Sequence, residues 1–159
     1  MNKTPLVNQL IATLKENLAV IEKAARASHA EATHESSKAE NKYDTRGLEA
    51  AYLAGGQARQ AKEIIDSIKL YHSLALRDFG PADPLDLTAL VNLQADHSSA
   101  LYFIGPKSGG LELEYDGKEI VVVTPQSPLG QNLVGKKMGD RWTCNVGGSI
   151  VKYHIVKVW

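Results

Sequence analysis

Cysteine is nearly absent from this sequence: Cys144 is the only one in 159 residues. An intrachain disulfide is therefore excluded, and one thiol gives no cluster for a structural zinc ion, so a reducing compartment fits. Net charge is absent as well. Eighteen basic residues balance eighteen acidic ones, and the halves hardly differ: eleven basic and ten acidic residues through Gly80, seven and eight after it. Counterion release from a basic face is then a poor main driving force for binding, which argues against a free-standing DNA or RNA binder and for a partner protein. Long apolar runs are missing too. Lys15, Glu16, Glu22 and Lys23 interrupt the first 25 residues, so neither a signal peptide nor a membrane span is expected, and the cytoplasm is the expected location. What remains is a hydrophobic content of 43%, enough for a real core in one domain or two small ones.

The apolar and small residues are placed with a clear period. Val7, Ile11, Leu14, Leu18, Ile21, Ala25, Ser28 and Ala32 alternate steps of four and three, the seam of a coiled coil. A second register runs Ala50, Ala54, Gln57, Ala61, Ile64, Ile68, Tyr71 and Ala75. The first goes from large to small side chains and the second from small to large. Antiparallel pairing sets bulky against bulky and small against small, with the tip between about residues 33 and 45. At ~1.5 Å per residue the first helix is on the order of 45 Å long. Gly55-Gly56 is awkward in a helix interior, and a kink or loosening is expected there.

Prolines end the helical pattern. Phe79-Gly-Pro-Ala-Asp-Pro84 cannot continue a helix, so residues 79–86 are expected to be a linker between a hairpin over 1–78 and a β-rich globular domain over 87–159. Strands are expected at Leu87–Leu93, Ser99–Ile104, Leu111–Tyr115, Ile120–Thr124, Trp142–Val146 and Ile150–Val158, with tight turns at Asp116-Gly117 and Gly147-Gly148. Ser127-Pro-Leu-Gly-Gln-Asn-Leu-Val-Gly135 reads as a short helix with serine before proline and glycine at its end. The expected fold class is α+β.

Most other candidates have plain readings. Ser127 lacks the strained elbow of a nucleophile and reads as a helix cap. Cys144, beside Trp142 in an apparent strand, reads as a buried structural thiol. Trp142, Trp159, Tyr102 and Phe103 read as core or edge packing, and Gly105-Pro-Lys-Ser-Gly-Gly110 as an ordinary connection, since its spacing departs from a phosphate loop. His29 and His34, five apart, share no helical face and read as surface residues. For Glu31, Glu35, Glu40 and Asp44 two readings stand: a solvated acidic face relieved by Lys38 and Lys42, or functional carboxylates carried at a hairpin tip.

Two stretches resemble the bacterial Gre family of transcript-cleavage factors. One is Ser127-Pro-Leu-Gly130, then Leu133, Gly135-Lys136, Gly139-Asp140, Gly147-Gly148 and Tyr153-His-Ile155-Val-Lys-Val158; the other is Lys38-Ala-Glu40-Asn41-Lys-Tyr43-Asp44. The resemblance implies a monomeric, non-enzymatic accessory factor. Its coiled-coil hairpin would enter the secondary channel of bacterial RNA polymerase, against the β′ subunit. Its C-terminal domain would be FKBP-like and dock at the entrance, with Ser127, Pro128, Leu129, Gly130, Lys136, Gly139 and Asp140 as the docking residues. DNA and the nascent RNA 3′ end would be met only through the complex. Tip carboxylates would complete a Mg²⁺ site shared with the polymerase, so that backtracked transcripts are hydrolysed; the isolated protein would bind the ion weakly. The family tip has two acids separated by two residues, whereas Ser37 stands three before Glu40 here. One inserted residue would bring in Glu35, making Glu35 and Glu40 the metal ligands and Asp44 a third catalytic candidate. A non-catalytic regulator occluding the same channel is the alternative, with a peptidyl-prolyl isomerase or chaperone behind it, since fold does not carry activity.

Overall fold

A computed structural model describes residues 2–34, 46–96, 98–146 and 148–159. The chain divides into two compact units, Ile11–His72 and Met1–Leu10 together with Ser73–Trp159.

The first unit is helical. It contains α1 (Thr4–Thr33, 30 residues) from Ile11 onward and all of α2 (Arg46–His72, 27 residues). Within it, burial follows the two seams. Ile11 and Leu14 are buried and Leu18, Ile21, Ala25, Ser28 and Ala32 half-buried, while Lys15, Glu16, Glu22, Lys23 and Arg26 are exposed. On α2 the covered positions include Ala50, Ala54, Gln57, Ala61, Ile64, Ile68 and Tyr71. Ala75, the last position of the expected register, lies beyond the helix and is exposed. A four-three spacing keeps these side chains on one side of each helix, so they leave water together.

α2 runs through Gly55 and Gly56 without a break. A Cβ built at either position meets nothing within 4 Å. Crowding therefore does not demand glycine at either position, and each costs only its conformational entropy and missing side chain. Gly55→Ala is expected to raise the stability of the protein by about 0.5–1 kcal/mol, read as a higher urea midpoint with an unchanged slope.

The second unit carries β1 (Leu90–Ala95), β2 (Ser98–Ile104), β3 (Glu112–Tyr115), β4 (Lys118–Val123), α3 (Pro128–Leu133), β5 (Arg141–Val146) and β6 (Ser149–Val158). They make a mixed six-stranded sheet in the order β3-β4-β2-β1-β6-β5, in which β2 and β4 are parallel and the other neighbours antiparallel. Asp116 and Gly117, at φ 55° and 66°, form the two-residue connection of β3 to β4, where both central residues need positive φ. The first strand starts later than the expected Leu87. Thr88 sits at φ 73°, its N–H donates to the Ile104 carbonyl, and its Oγ1 accepts from the Arg77 N–H at 3.1 Å. Those bonds hold the chain in a turn up to Ala89 and delay pairing to Leu90.

Pairing sorts the strand side chains into two buried layers. Phe103 is opposite both Leu90 and Val122, and Ile120 is opposite both Leu101 and Leu113, so these six share one face and all are buried. Leu6 and Leu10 of α1, in the same unit, are fully buried, and the Gln9 side-chain amide donates to the Glu114 carbonyl of β3 at 2.6 Å. The opposite face holds Val91, Leu93, Ile104, Val123, Ile155 and Val158, joined by Phe79 and Leu85 from the proline-rich segment and by Leu133 of α3.

Lys3 is buried where the termini of this unit meet. Its Nζ donates to the Arg77 carbonyl and, at 3.0 Å, to that of Trp159, and lies 5.1 Å from the centre of the Phe79 ring. Burial holds its amine below the ordinary 10.5; Asp78 opposes the shift and Arg77 adds to it. With the folded pKa below the unfolded one, the unfolded chain binds more protons between the two values, so stability should rise with pH across that window. Lys3→Met should remove that rise, measured as the difference in unfolding free energy between variant and wild type from pH 8 to pH 10.5.

Candidate functional site

The chemistry of the globular unit gathers around α3 and the loop after it. Ser127 caps α3 at φ −69°, ψ 154°: its Oγ accepts from the Gly130 N–H at 3.1 Å and donates to the Thr124 carbonyl at 2.8 Å. Pro128 takes the first helical position, where no N–H is needed. The serine is thus occupied on both sides as a cap, as the sequence predicts. Gly130 is buried so close to the preceding turn that a Cβ would stand 1.9 Å from the Thr124 carbonyl oxygen. Leu129 packs against the core and Leu133 is inside it.

After α3 the chain is held by backbone bonds rather than by regular structure. The Gly135 N–H donates to the Leu85 carbonyl and the Leu85 N–H to that of Lys136, which ties the loop to the proline-rich segment. The Asp140 carboxylate accepts from the Lys137 N–H at 2.8 Å, and the Gly139 N–H donates to the Ile155 carbonyl. The expected docking residues therefore fall into two groups. Ser127, Leu129 and Gly130 build the corner, whereas Pro128, Gly139 and Asp140 are exposed and Lys136 is half-exposed. Lys136 lies 5.0 Å from the centre of the Trp142 ring, and Trp142 stacks on Tyr153 with ring centres 5.3 Å apart. The Trp142 Nε1–H is buried without a hydrogen-bond partner among the described residues.

The sequence reading missed the exposed apolar pair beside this corner, Val134 and Met138. Spacing could not mark them, because the segment has no regular period. It also placed Cys144 as a buried thiol; the structure leaves it half-buried on β5, since that strand is at the sheet edge and is covered on one side only. Trp142, Trp159 and Tyr102 are half-buried and Phe103 fully buried, in keeping with packing roles, and His29 and His34 are both exposed.

Residues 110–159 match the family model described as Transcription elongation factor, GreA/GreB, C-term. Over these residues the resemblance to the Gre family holds. Every residue from Ser127 to Val158 on which it rests lies inside the matched stretch. Similar solved structures include the GreA factor homolog 1 of Thermus thermophilus, 18% identical over 94% of each chain with a TM-score of 0.37. Thermus aquaticus Gfh1 is 18% identical over 97% of this chain and 92% of its own, TM-score 0.39. The GreA/GreB factor from Nitrosomonas europaea is 19% identical over 60% of this chain and 78% of its own, TM-score 0.37. Superpositions this loose add no weight to the family match. A search of curated proteins finds no significant match.

The Gre-like tip is a separate matter. Glu35, Glu40 and Asp44, with Asn41 and Tyr43, lie outside the described residues, between the end of α1 at Thr33 and the start of α2 at Arg46. Among the described residues no three His, Cys, Asp or Glu side chains gather where they could hold a metal ion, and no helix is long and apolar enough to cross a membrane.

The corner around α3 gives a graded test. Ser127→Ala should lower stability by about 1 kcal/mol, the usual loss of a helix cap. Gly130→Ala should cost more than about 3 kcal/mol, because the clash is with backbone that cannot turn aside. Urea unfolding of the two variants beside wild type measures both.

Proposed function

We propose that this chain is a transcription elongation factor acting on bacterial RNA polymerase. The observation that carries the reading is the GreA/GreB C-terminal match over residues 110–159. Support also comes from α2 and the part of α1 from Ile11 onward, long helices in one unit whose covered residues include both coiled-coil seams. In this reading the helices form an antiparallel hairpin that enters the secondary channel, and the C-terminal unit, taken as FKBP-like, docks at the channel entrance on β′ through the corner from Ser127 to Asp140. The protein works as a cytoplasmic monomer and meets DNA and RNA only within the complex.

The catalytic form of the reading assigns Glu35 and Glu40 as ligands to a Mg²⁺ shared with the polymerase, with Asp44 in support. A Mg²⁺ bound by few carboxylates keeps several waters and supplies Lewis-acid activation of one of them. The part of this chain is to bring negative charge to that ion; the polymerase provides the remaining ligands and holds the transcript, so the factor by itself is no enzyme. A non-catalytic reading is favoured by one feature, Ser37 in place of an acid three residues before Glu40. In that case the hairpin occludes the channel.

Stalled, backtracked elongation complexes separate the two. Wild-type protein is expected to shorten the transcript, and Glu35→Ala with Glu40→Ala to abolish shortening while polymerase binding is retained. Unchanged shortening by the double variant refutes the tip mechanism. Inhibition by wild type without any shortening establishes occlusion.

A further inference from the structure

The six-stranded sheet is electrically lopsided. One edge, β3 and β4 with their turn, carries four acids, Glu112, Glu114, Asp116 and Glu119, and one base, Lys118. After Glu119 the sequence holds five basic residues, Lys136, Lys137, Arg141, Lys152 and Lys157, and one acid, Asp140. Three of those cations stand on or next to the opposite edge, where β5 pairs only with β6.

Register brings the charges on that edge together. Gln94, His154 and Arg141 stand opposite one another across β1, β6 and β5, and the next row on the same face has Lys152 opposite Thr143. Asp96 closes that row, its N–H donating to the Lys152 carbonyl and its carboxylate accepting from the Lys152 N–H at 3.2 Å. These six residues line a depression of about 820 Å³. Arg141 and Lys152 are exposed, and neither forms an ion pair among the described residues.

The strand bordering the depression has a free side. β5 runs six residues in unbroken register against β6, with no proline and no bulge to blunt it. The Ile155 N–H donates to the Asp140 carbonyl, so by alternation Trp142, Cys144 and Val146 turn their backbone groups toward β6. Arg141, Thr143 and Asn145 turn theirs outward.

We infer that β5 is a docking edge for an extended acidic segment of a partner protein, which adds as a seventh strand and places carboxylates beside Arg141, Lys152 and His154. Alternating outward N–H and C=O groups match a peptide backbone, while side chains of every second residue reach the basic face, the pattern of strand addition. Two permanent cations would release only about two counterions, too few to favour a nucleic-acid backbone at physiological salt. This surface lies in the globular unit and does not rest on the tip chemistry or on polymerase being the partner.

The test uses the full chain and a fluorescein-labelled octapeptide of alternating glutamate and threonine, followed by anisotropy at low ionic strength. Binding is expected, weakened about tenfold or more by Arg141→Glu with Lys152→Glu, two exposed positions, and likewise by Thr143→Pro, which removes an outward N–H without touching the β6 ladder. The same peptide N-methylated at alternate residues should not bind, a control that leaves the protein unaltered. Failure of the wild type to bind the peptide, or equal binding of the N-methylated peptide, overturns the proposal. So does tighter binding of an oligothymidylate at Arg141 and Lys152, which assigns the face to nucleic acid. Light scattering that shows dimers dissolved by Glu112→Lys with Glu114→Lys overturns it too, by assigning the edge to a second copy.

Discussion

Strand β1 is hydrogen-bonded on both sides, to β2 and to β6, and the globular unit depends on that double pairing. Successive residues of a strand point to opposite faces, so Leu90 faces one layer and Val91 the other. Pairing carries the same parity outward: Phe103 and Val122 join Leu90, while Tyr102 and Val158 join Val91. A slip of one residue would exchange the two faces of every strand at once. The register shift between Asn92 and Leu93 corrects the parity along β6, leaving Lys157 beside Asn92 and Ile155 beside Leu93 in the core.

That frame explains why irregular segments can be well placed. Phe79, Leu85 and Leu133 come from outside the sheet, yet each is buried on the face that Val91 and Ile155 share. The close approach of Gly130 to Thr124 and the backbone bonds between Leu85 and the Gly135-Lys136 turn lock the corner to that face. The exposed residues of this corner are thus displayed on a backbone held by close packing and hydrogen bonds. The helical unit has a different economy: long stripes of half-buried residues, many of them alanine, with charged residues on the remaining surface. Elements of that kind derive stability from length and spacing more than from a deep core.

Local chemistry made much of this legible beforehand. The four-three spacing in residues 7–32 and 50–71 marked both helices and many of the residues they cover, though not the buried Leu6, Leu10 and Ser67. Asp116-Gly117 marked a turn, because both positions need positive φ; Ser127-Pro128 marked a helix start, because a hydroxyl acceptor before a residue with no N–H satisfies the first turn. Each of those signals is a property of a few neighbouring residues. The Gre-like residues from Ser127 to Val158 were legible as a family pattern, and the match over 110–159 upholds it.

Other features depend on residues far apart in the chain and have no local signature. The late start of β1 follows from bonds that Thr88 makes to Arg77 and Ile104. The burial of Lys3 follows from carbonyls supplied by Arg77 and Trp159, and the contact of Lys136 with Trp142 from a loop folding back on a strand. The joining of Arg141, Lys152 and His154 on one face comes from strand pairing alone. Periodicity and turn chemistry act between neighbours and so can be read along the chain; strand order and cross-strand register are settled by burying both faces of one sheet, and only the folded chain decides them.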